Sequence, residues 1–337
     1  MTSQALYRKW RPRTFSEVVG QEHVTRTLRN ALASGRIVHA YLFSGPRGTG
    51  KTSTARILAK AVNCLAAEGV ERPDNTCALC RSIDEGRCMD LIEMDAATHT
   101  GVDDVRDLLE RIHFAPSEAR YKVYIIDEVH RASANAFDAL LKTLEEPPPH
   151  TLFVLATTEI HKVPPTILSR CQRFDFRPIP TRRIVEHLRS LVEAEGLQAE
   201  PEALELMARQ ATGSVRDAVS LLDQVASYGE RRISLDQVQA ILGTVAPEVV
   251  ERLVQGLAQG DVSQGLTLIQ EAIAEGADPR QLAREVVEYL RGVLLVKSAG
   301  RSPGHVAEET SAQMARLGGE FSTQRLAASI RAFSRAS

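Results

Sequence analysis

Two hydrophobic rhythms divide the chain. Between about residues 37 and 180, short apolar runs alternate with stretches of helical period. The runs are HAYLFS (39–44), DLIEMD (90–95), KVYIID (122–127), TLFVLAT (151–157) and RFDF (173–176). Runs this short and this apolar suit strands of a parallel sheet with helices on both faces. Helices are predicted between them at 50–65, 102–113, 134–146 and 164–169. After Pro180 the strands stop, and the pattern predicts helices at 180–195, 201–211, 214–228 and 235–242. A third block opens at VAPEVVERLVQGLAQGDV, with Val249, Leu253 and Leu257 on one face. It continues through two more amphipathic helices, a polar segment (SAGRSPGHVAEETS) and a last helix. The expected domains are an α/β core over 1–179, a small helical domain over 180–243 and a helical domain over 244–337. No fixed-period repeat appears.

Composition narrows the class. Lys and Arg total 41 against 43 Asp and Glu, a formal charge of −2. A chain-wide basic footprint for nucleic acid is absent, which leaves room only for a local patch. MTSQALYRKWRPRTF has no apolar run after its basic residues, so it does not read as a signal peptide. No stretch approaches the roughly 18 apolar residues that span a bilayer. Five cysteines, three in one short segment, suit an intracellular metal site better than a disulfide framework. The expectation is a soluble, cytoplasmic protein without a membrane partner.

GPRGTGKT (45–52) fits G-x-x-x-x-G-K-[ST] and stands between the strand HAYLFS and the helix TSTARILAKAV. Such a loop turns backbone N–H groups toward phosphates at a helix N-terminus. Gly45, Gly48 and Gly50 permit the tight path. Lys51 suits β- and γ-phosphates, and Thr52 suits Mg²⁺. The nucleotide-binding set is Gly45, Pro46, Arg47, Gly48, Thr49, Gly50, Lys51, Thr52 and Ser53. KVYIIDEVH then ends an apolar strand in two carboxylates. Asp127 is expected at Mg²⁺, and Glu128 as the base for a water attacking the γ-phosphate. The plainer reading of this pair is a helix N-cap. Thr157 and Thr158 end the next strand, where a hydroxyl would sense the γ-phosphate or hold the water.

CALC places Cys77 and Cys80 at C-x-x-C spacing, with Cys64 upstream, a pattern suited to one Zn²⁺. A redox pair is the other reading, disfavoured by the strand–helix context. Arg170, in TILSRCQ, reads equally as a surface charge, a fork holding a carboxylate or a reagent aimed at phosphate. Lys142, Glu145 and Glu146 beside a proline run read as a solvated face.

GPRGTGKTS, VYIIDEVH, ALLKTLEEPP, LATTEIHKVPPTILSRCQRF and TGSVRDAVSLLDQ, in this order, resemble the AAA+ clamp-loader ATPases. The likeness is strongest to bacterial DNA polymerase III gamma/tau subunits, and ALYRKWRPRTFSEVVGQEHV strengthens it. The resemblance covers nearly the whole chain. It implies ATP as ligand, the second domain as a lid and the third as an oligomerising collar. Arg170 becomes an arginine finger supplied to a neighbour's γ-phosphate, and Arg216 a second sensor in the lid; in isolation Arg216 would read as an ion pair with Asp217 or a surface charge. Arg11, Pro12, Val18, Val19 and Gly20 match the segment against the adenine. The family's zinc module has four cysteines: Cys64, Cys77 and Cys80 match the first, third and fourth, and Asp74 stands at the second. The expected zinc set is therefore Cys64, Asp74, Cys77 and Cys80, with Cys88 a rival fourth ligand.

The implied partners are a sliding clamp, delta and delta-prime subunits, further copies of the chain and primer–template DNA. The implied work is ATP-driven loading of the clamp for DNA polymerase III. The alternatives are another AAA+ DNA motor, such as a branch-migration helicase subunit, or a non-hydrolysing assembly subunit. The chain's end near residue 337 leads to the expectation of a gamma-like or shortened form with part of the collar missing.

Overall fold

The five apolar runs form one parallel sheet in the computed structural model. It describes residues 5–67, 70–98, 111–228, 232–243, 245, 247–274, 276–300 and 308–336. The strands are β1 (Ala40–Ser44), β2 (Leu91–Asp95), β3 (Lys122–Asp127), β4 (Thr151–Thr157) and β5 (Gln172–Asp175), in the order β2-β3-β4-β1-β5. Every pairing is parallel. Because strand side chains alternate, each run feeds two cores. Tyr41, Phe43, Val123, Ile125 and Val154 face one side, against Val24 and Leu28 of the helix Glu22–Ala33 and Ile57 and Leu58 of the helix Lys51–Asn63. Leu42, Tyr124, Ile126, Phe153 and Leu155 face the other, against Phe137, Leu140 and Leu144 of the helix Ala134–Glu145. This is why the runs read as continuously apolar rather than alternating.

The helix Glu22–Ala33 was not among the expected elements. Its signal is the spacing of Val24, Leu28 and Leu32, diluted by seven polar neighbours in EHVTRTLRNALA. The helix expected at 102–113 falls outside the described residues up to 110, and Arg111–His113 form a 3₁₀ turn.

Chain contacts divide the molecule into two compact units, Met1–Ile233 and Ser234–Ser337. In the first, the helices Thr181–Ala194, Pro201–Gln210 and Val215–Ala226 follow the sheet. Strands do not stop at Pro180, contrary to expectation: β6 (Gln198–Ala199) pairs in parallel with β7 (Arg232–Ile233). Two-residue strands are too short for any alternation to register in the sequence.

The second unit is helical throughout its described residues. The capping box of Ser234 and Gln237 opens the helix Leu235–Leu242. Pro247–Gln259, Val262–Ala274 and Pro279–Ala299 follow, around a core that includes Val254, Leu290, Val293 and Phe321. After the polar segment come two helices, Glu308–Glu320 and Thr323–Ser334, instead of one. Ser322 separates them, its Oγ accepting from Arg325 N at 3.2 Å as an N-cap. None of the described helices is long and apolar enough to cross a membrane.

Candidate active site

The loop between β1 and the helix Lys51–Asn63 takes a path only glycine follows without cost. Gly45, Gly48 and Gly50 have φ of +145°, +74° and +100°. Lys51 is 5% exposed, and its Nζ donates to the carbonyls of Gly45 and Pro46, both at 2.8 Å. Burial lowers its pKa, against the opposing pull of Glu128 and Asp127. Thr49 Oγ1 braces the turn by donating to Pro46 O at 2.8 Å. Thr52 Oγ1 donates to Asp127 Oδ2 at 2.5 Å, so the first turn of the helix and the end of β3 meet. That hydroxyl–carboxylate pair beside a buried lysine has the hard oxygen donors that Mg²⁺ prefers.

Glu128 sits in the left-handed region, with φ 46° and ψ 42°, a conformation that costs a non-glycine residue about 1–2 kcal/mol. Its Oε2 accepts from Thr158 Oγ1 at 2.8 Å and Thr158 N at 3.2 Å. Thr157 is fully buried, its hydroxyl 3.0 Å from His130 Nδ1 and accepting from Glu159 N at 3.0 Å. Neither threonine lines the cleft beside the loop. Both instead act on the groups around Glu128.

That cleft measures about 920 Å³. Arg47 through Ser53 line it, with Arg11, Val18, Val19, Asp127, Glu128 and Arg216; Gly45 and Pro46 lie behind, their carbonyls accepting from Lys51. Arg56 and Arg131 also line it, cations that sequence reasoning passed over. Arg11 Nε donates to Ser53 Oγ at 3.2 Å. Its pKa is lowered first by burial and then by Arg56, so the cleft crowds cations together and suits a polyanion. Arg216 lies 5.2 Å over the Tyr7 ring.

Sequence reasoning also missed how the loop meets the helix that carries Arg216. Val215 N donates to Gly48 O at 3.1 Å. A Cβ on Gly48 would overlap Ser214 Oγ and come within 2.9 Å of Ser214 Cβ and 3.3 Å of Arg216 Cβ. Ser214 in turn caps its helix by accepting from Asp217 N at 3.2 Å.

Arg170 is not among the cleft's lining residues. It is one-third exposed, donating through Nη2 to Glu145 Oε1 at 2.5 Å and through Nη1 to Thr166 O at 2.8 Å.

Apart from the cleft, Cys64, Asp74, Cys77 and Cys80 bring their ligand atoms within 4.8 Å of one another. Zinc–sulfur bonds of about 2.3 Å make tetrahedron edges of about 3.8 Å, so small movements close this set on a metal. Cys77 caps the helix Ala78–Asp84 by accepting from Cys80 N. Burial, and then its bond to Cys77, pushes the Cys80 thiol up. Burial works against ionising Asp74, but the N–H groups of Cys77 and Thr76 outweigh it and hold its carboxyl low. Cys88 is buried and is not one of the four. Lys60, buried on the loop's helix, bonds Asn75 Oδ1 at 2.7 Å and Asp84 Oδ1 at 2.8 Å, tying this module to the nucleotide cleft.

A phosphate loop after β1, an acidic end to the neighbouring-but-one strand β3, and a helical domain touching the loop together define a P-loop protein of the AAA+ class. The Thermotoga maritima RuvB Holliday junction branch migration motor shares this fold with a TM-score of 0.52, covering 74% of this chain and 79% of its own at 20% identity. Family models match along the chain: DNA polymerase III, delta subunit, at residues 20–180; DNA polymerase III clamp loader subunit, ATPase lid domain, at 183–231; and DNA polymerase III subunits gamma and tau domain III at 233–331. DNA polymerase III subunit tau of Bacillus subtilis (strain 168) is 51% identical over 89% of this chain and 53% of its own length. Subunit tau of Escherichia coli (strain K12) is 47% identical over 90% of this chain and 47% of its own. Subunit gamma of Buchnera aphidicola is 38% identical over 86% of this chain and 80% of its own. The chain belongs to the gamma/tau family of DNA polymerase III clamp-loader subunits. It spans about half the length of the two tau relatives.

Proposed function

We propose that this chain is an ATP-hydrolysing motor subunit of a replicative clamp loader. The observation that carries the reading is the meeting of Lys51, Thr52, Asp127 and Glu128 at one end of a cation-lined cleft. Backbone N–H groups of the loop and the Lys51 ammonium hold the β- and γ-phosphates. Thr52 and Asp127 are the residues that would hold Mg²⁺, which when bound supplies charge neutralisation on the phosphate oxygens. Glu128 orients a water and takes its proton as the water oxygen bonds to the γ-phosphorus. The bond from that phosphorus to the β–γ bridging oxygen breaks, and its electron pair leaves with ADP. Arg11, Val18 and Val19 suit the nucleoside end, and Arg216 ties the lid to the bound phosphates.

Arg170 is the arginine supplied to a neighbouring copy. Its absence from its own cleft supports this, since a guanidinium that serves a phosphate must then serve another chain's. The proposed domains are a core over 1–179, a lid from 180 and an oligomerising region to 337; the matched ranges 183–231 and 233–331 and the unit boundary at Ile233/Ser234 favour counting the helix Leu235–Leu242 with the oligomerising region and not, as expected from the sequence, with a lid over 180–243. The partners are a sliding clamp, delta and delta-prime subunits, further copies and primer–template DNA, in the cytoplasm. Contact with DNA falls mainly on its phosphates and weakens with salt.

The test is Glu128→Gln. It should keep ATP affinity within about threefold while hydrolysis falls roughly 10²–10⁴-fold, the range for losing a general base. Clamp and primed DNA should stimulate only the wild type. Hydrolysis at the wild-type rate in the variant would remove Glu128 from the chemistry, and indifference to the clamp would favour a different AAA+ motor.

The four-residue cluster is proposed to bind one Zn²⁺ through Cys64, Asp74, Cys77 and Cys80. Metal analysis should find about one zinc per chain. Asp74→Ala should weaken binding at least tenfold, and Asp74→Cys should strengthen it, because thiolate suits zinc better than carboxylate. Zinc affinity unchanged in Asp74→Ala would exclude Asp74 as a ligand.

A further inference from the structure

His130 lies two residues beyond Glu128 on the 3₁₀ turn Val129–Arg131, and its side chain is only 4% exposed. Nothing in the chemistry above uses it, yet both ring nitrogens meet carboxylates. Nδ1 stands 3.3 Å from Glu128 Oε2 and 3.0 Å from Thr157 Oγ1, and Nε2 stands 3.2 Å from Glu159 Oε1. Carboxylates on both edges of the ring leave it little freedom to turn, and Thr157 Oγ1 completes the contacts at Nδ1. Glu159 is itself held, by Lys162 at 2.8 Å. With its outer edge anchored, the ring keeps Nδ1 at the side of Glu128.

Glu128 needs such a wall. Its backbone is locked in the left-handed region, but its side chain retains three torsions. Thr158 binds Oε2 from one side, through Oγ1 and N, and His130 meets the same oxygen from another. Those contacts hold Oε2, and among the described residues no hydrogen bond is made to Oε1 of Glu128, a residue that lines the cleft. We propose that His130 is a positioning residue for the reaction, holding Glu128 in the one rotamer that presents its carboxylate to the attacking water. The proposal rests on Glu128 as general base. It assigns Thr157 a supporting part, since its buried hydroxyl fills the remaining space at Nδ1 while accepting from Glu159 N.

The test compares His130→Ala, His130→Asn and His130→Gln in the full chain. Each is made alone and in the Glu128→Gln background, with ATP affinity and kcat measured separately. A misplacement of about 1 Å costs on the order of 10²-fold in rate. His130→Ala should therefore lower kcat about 10–100-fold, with the Kd for ATP within about threefold. Asparagine places its amide near the Nδ1 position and should recover most of the rate. Glutamine reaches toward the Nε2 position and should not. Because His130 works only through Glu128, adding His130→Ala to Glu128→Gln should lower the residual rate no further.

Should kcat stay normal or rise in His130→Ala while Glu128→Gln is inactive, the positioning role is wrong and the general base stands. Should Glu128→Gln hydrolyse normally, the base assignment is wrong and this proposal goes with it. A loss of kcat that is equal in both backgrounds, or equal for asparagine and glutamine, would mark His130 as a packing residue and overturn the proposal. If His130→Ala fails to fold, the asparagine and glutamine pair still decides between these outcomes.

Discussion

Gly48→Ala should cost this chain most of its affinity for ATP. The added methyl group lands on Ser214 Oγ, against the first turn of the helix that carries Arg216, and the backbone there has φ +74°. A left-handed alanine costs about 1–2 kcal/mol and an overpacked contact about 1–3. The strain is relieved only by moving the loop or by swinging the helix away from it, which breaks the bond from Val215 N to Gly48 O. Either movement spoils the cradle. At about 1.4 kcal/mol per tenfold, the loss is roughly 30-fold to several thousandfold in Kd. Titration with a fluorescent ATP analogue measures it, and a thermal melt shows whether the fold survives. Ser214→Gly added to the variant should recover part of the affinity, since it removes the overlap but not the strained φ. Near-normal binding by Gly48→Ala would mean that the loop and this helix do not meet in the binding state.

Arg170→Ala carries the second large effect. In the free chain Arg170 pairs with Glu145, which lies at the last turn of the helix Ala134–Glu145. That surface pair is about half exposed on the Glu145 side, so it contributes little to stability. Stability should hardly change in the alanine variant. Arginine fingers where they act are worth about 10³–10⁵ in rate, so hydrolysis in the assembly should fall by at least 10³-fold. The combination of an unmoved melting temperature and a lost reaction is what separates a reagent from a structural fork. Lysine at the position should recover little, because an ammonium lacks the planar fork that spans two phosphoryl oxygens.

The strands were the most legible part of the sequence, because burial on both faces makes them continuously apolar; Tyr41 to Phe43 and Val123 to Ile126 alternate between two cores without a polar break. The phosphate loop was legible because three glycines, a lysine and a threonine do their work within eight consecutive residues. What stayed hidden depends on residues far apart in the chain. Ser214 touches Gly48 although the two stand 166 apart in the numbering, and no local pattern announces it. Thr157 and Thr158 were read correctly as neighbours of the acidic strand end. Their hydroxyls, though, turn to His130 and Glu128, a direction set by the pairing of β3 and β4. His130 carried one available signal, its place two residues after Glu128, and a lone histidine there reads as packing until Glu159 is seen on its far side. Asp74 was found only as a departure from a four-cysteine pattern, and its approach to Cys64, Cys77 and Cys80 depends on a loop without periodicity.

The central claim is that the hydrolytic site lies between copies, with Lys51 on one chain and Arg170 on the next. Mixing two inactive variants tests it most directly. Lys51→Ala and Arg170→Ala chains are assayed for ATP hydrolysis separately and together, with partner subunits, clamp and primed DNA present. Each alone should be inactive and the mixture should recover activity, as intact loops receive Arg170 from Lys51→Ala neighbours. A mixture as inactive as its components, or an Arg170→Ala chain that hydrolyses ATP normally by itself, would contradict it.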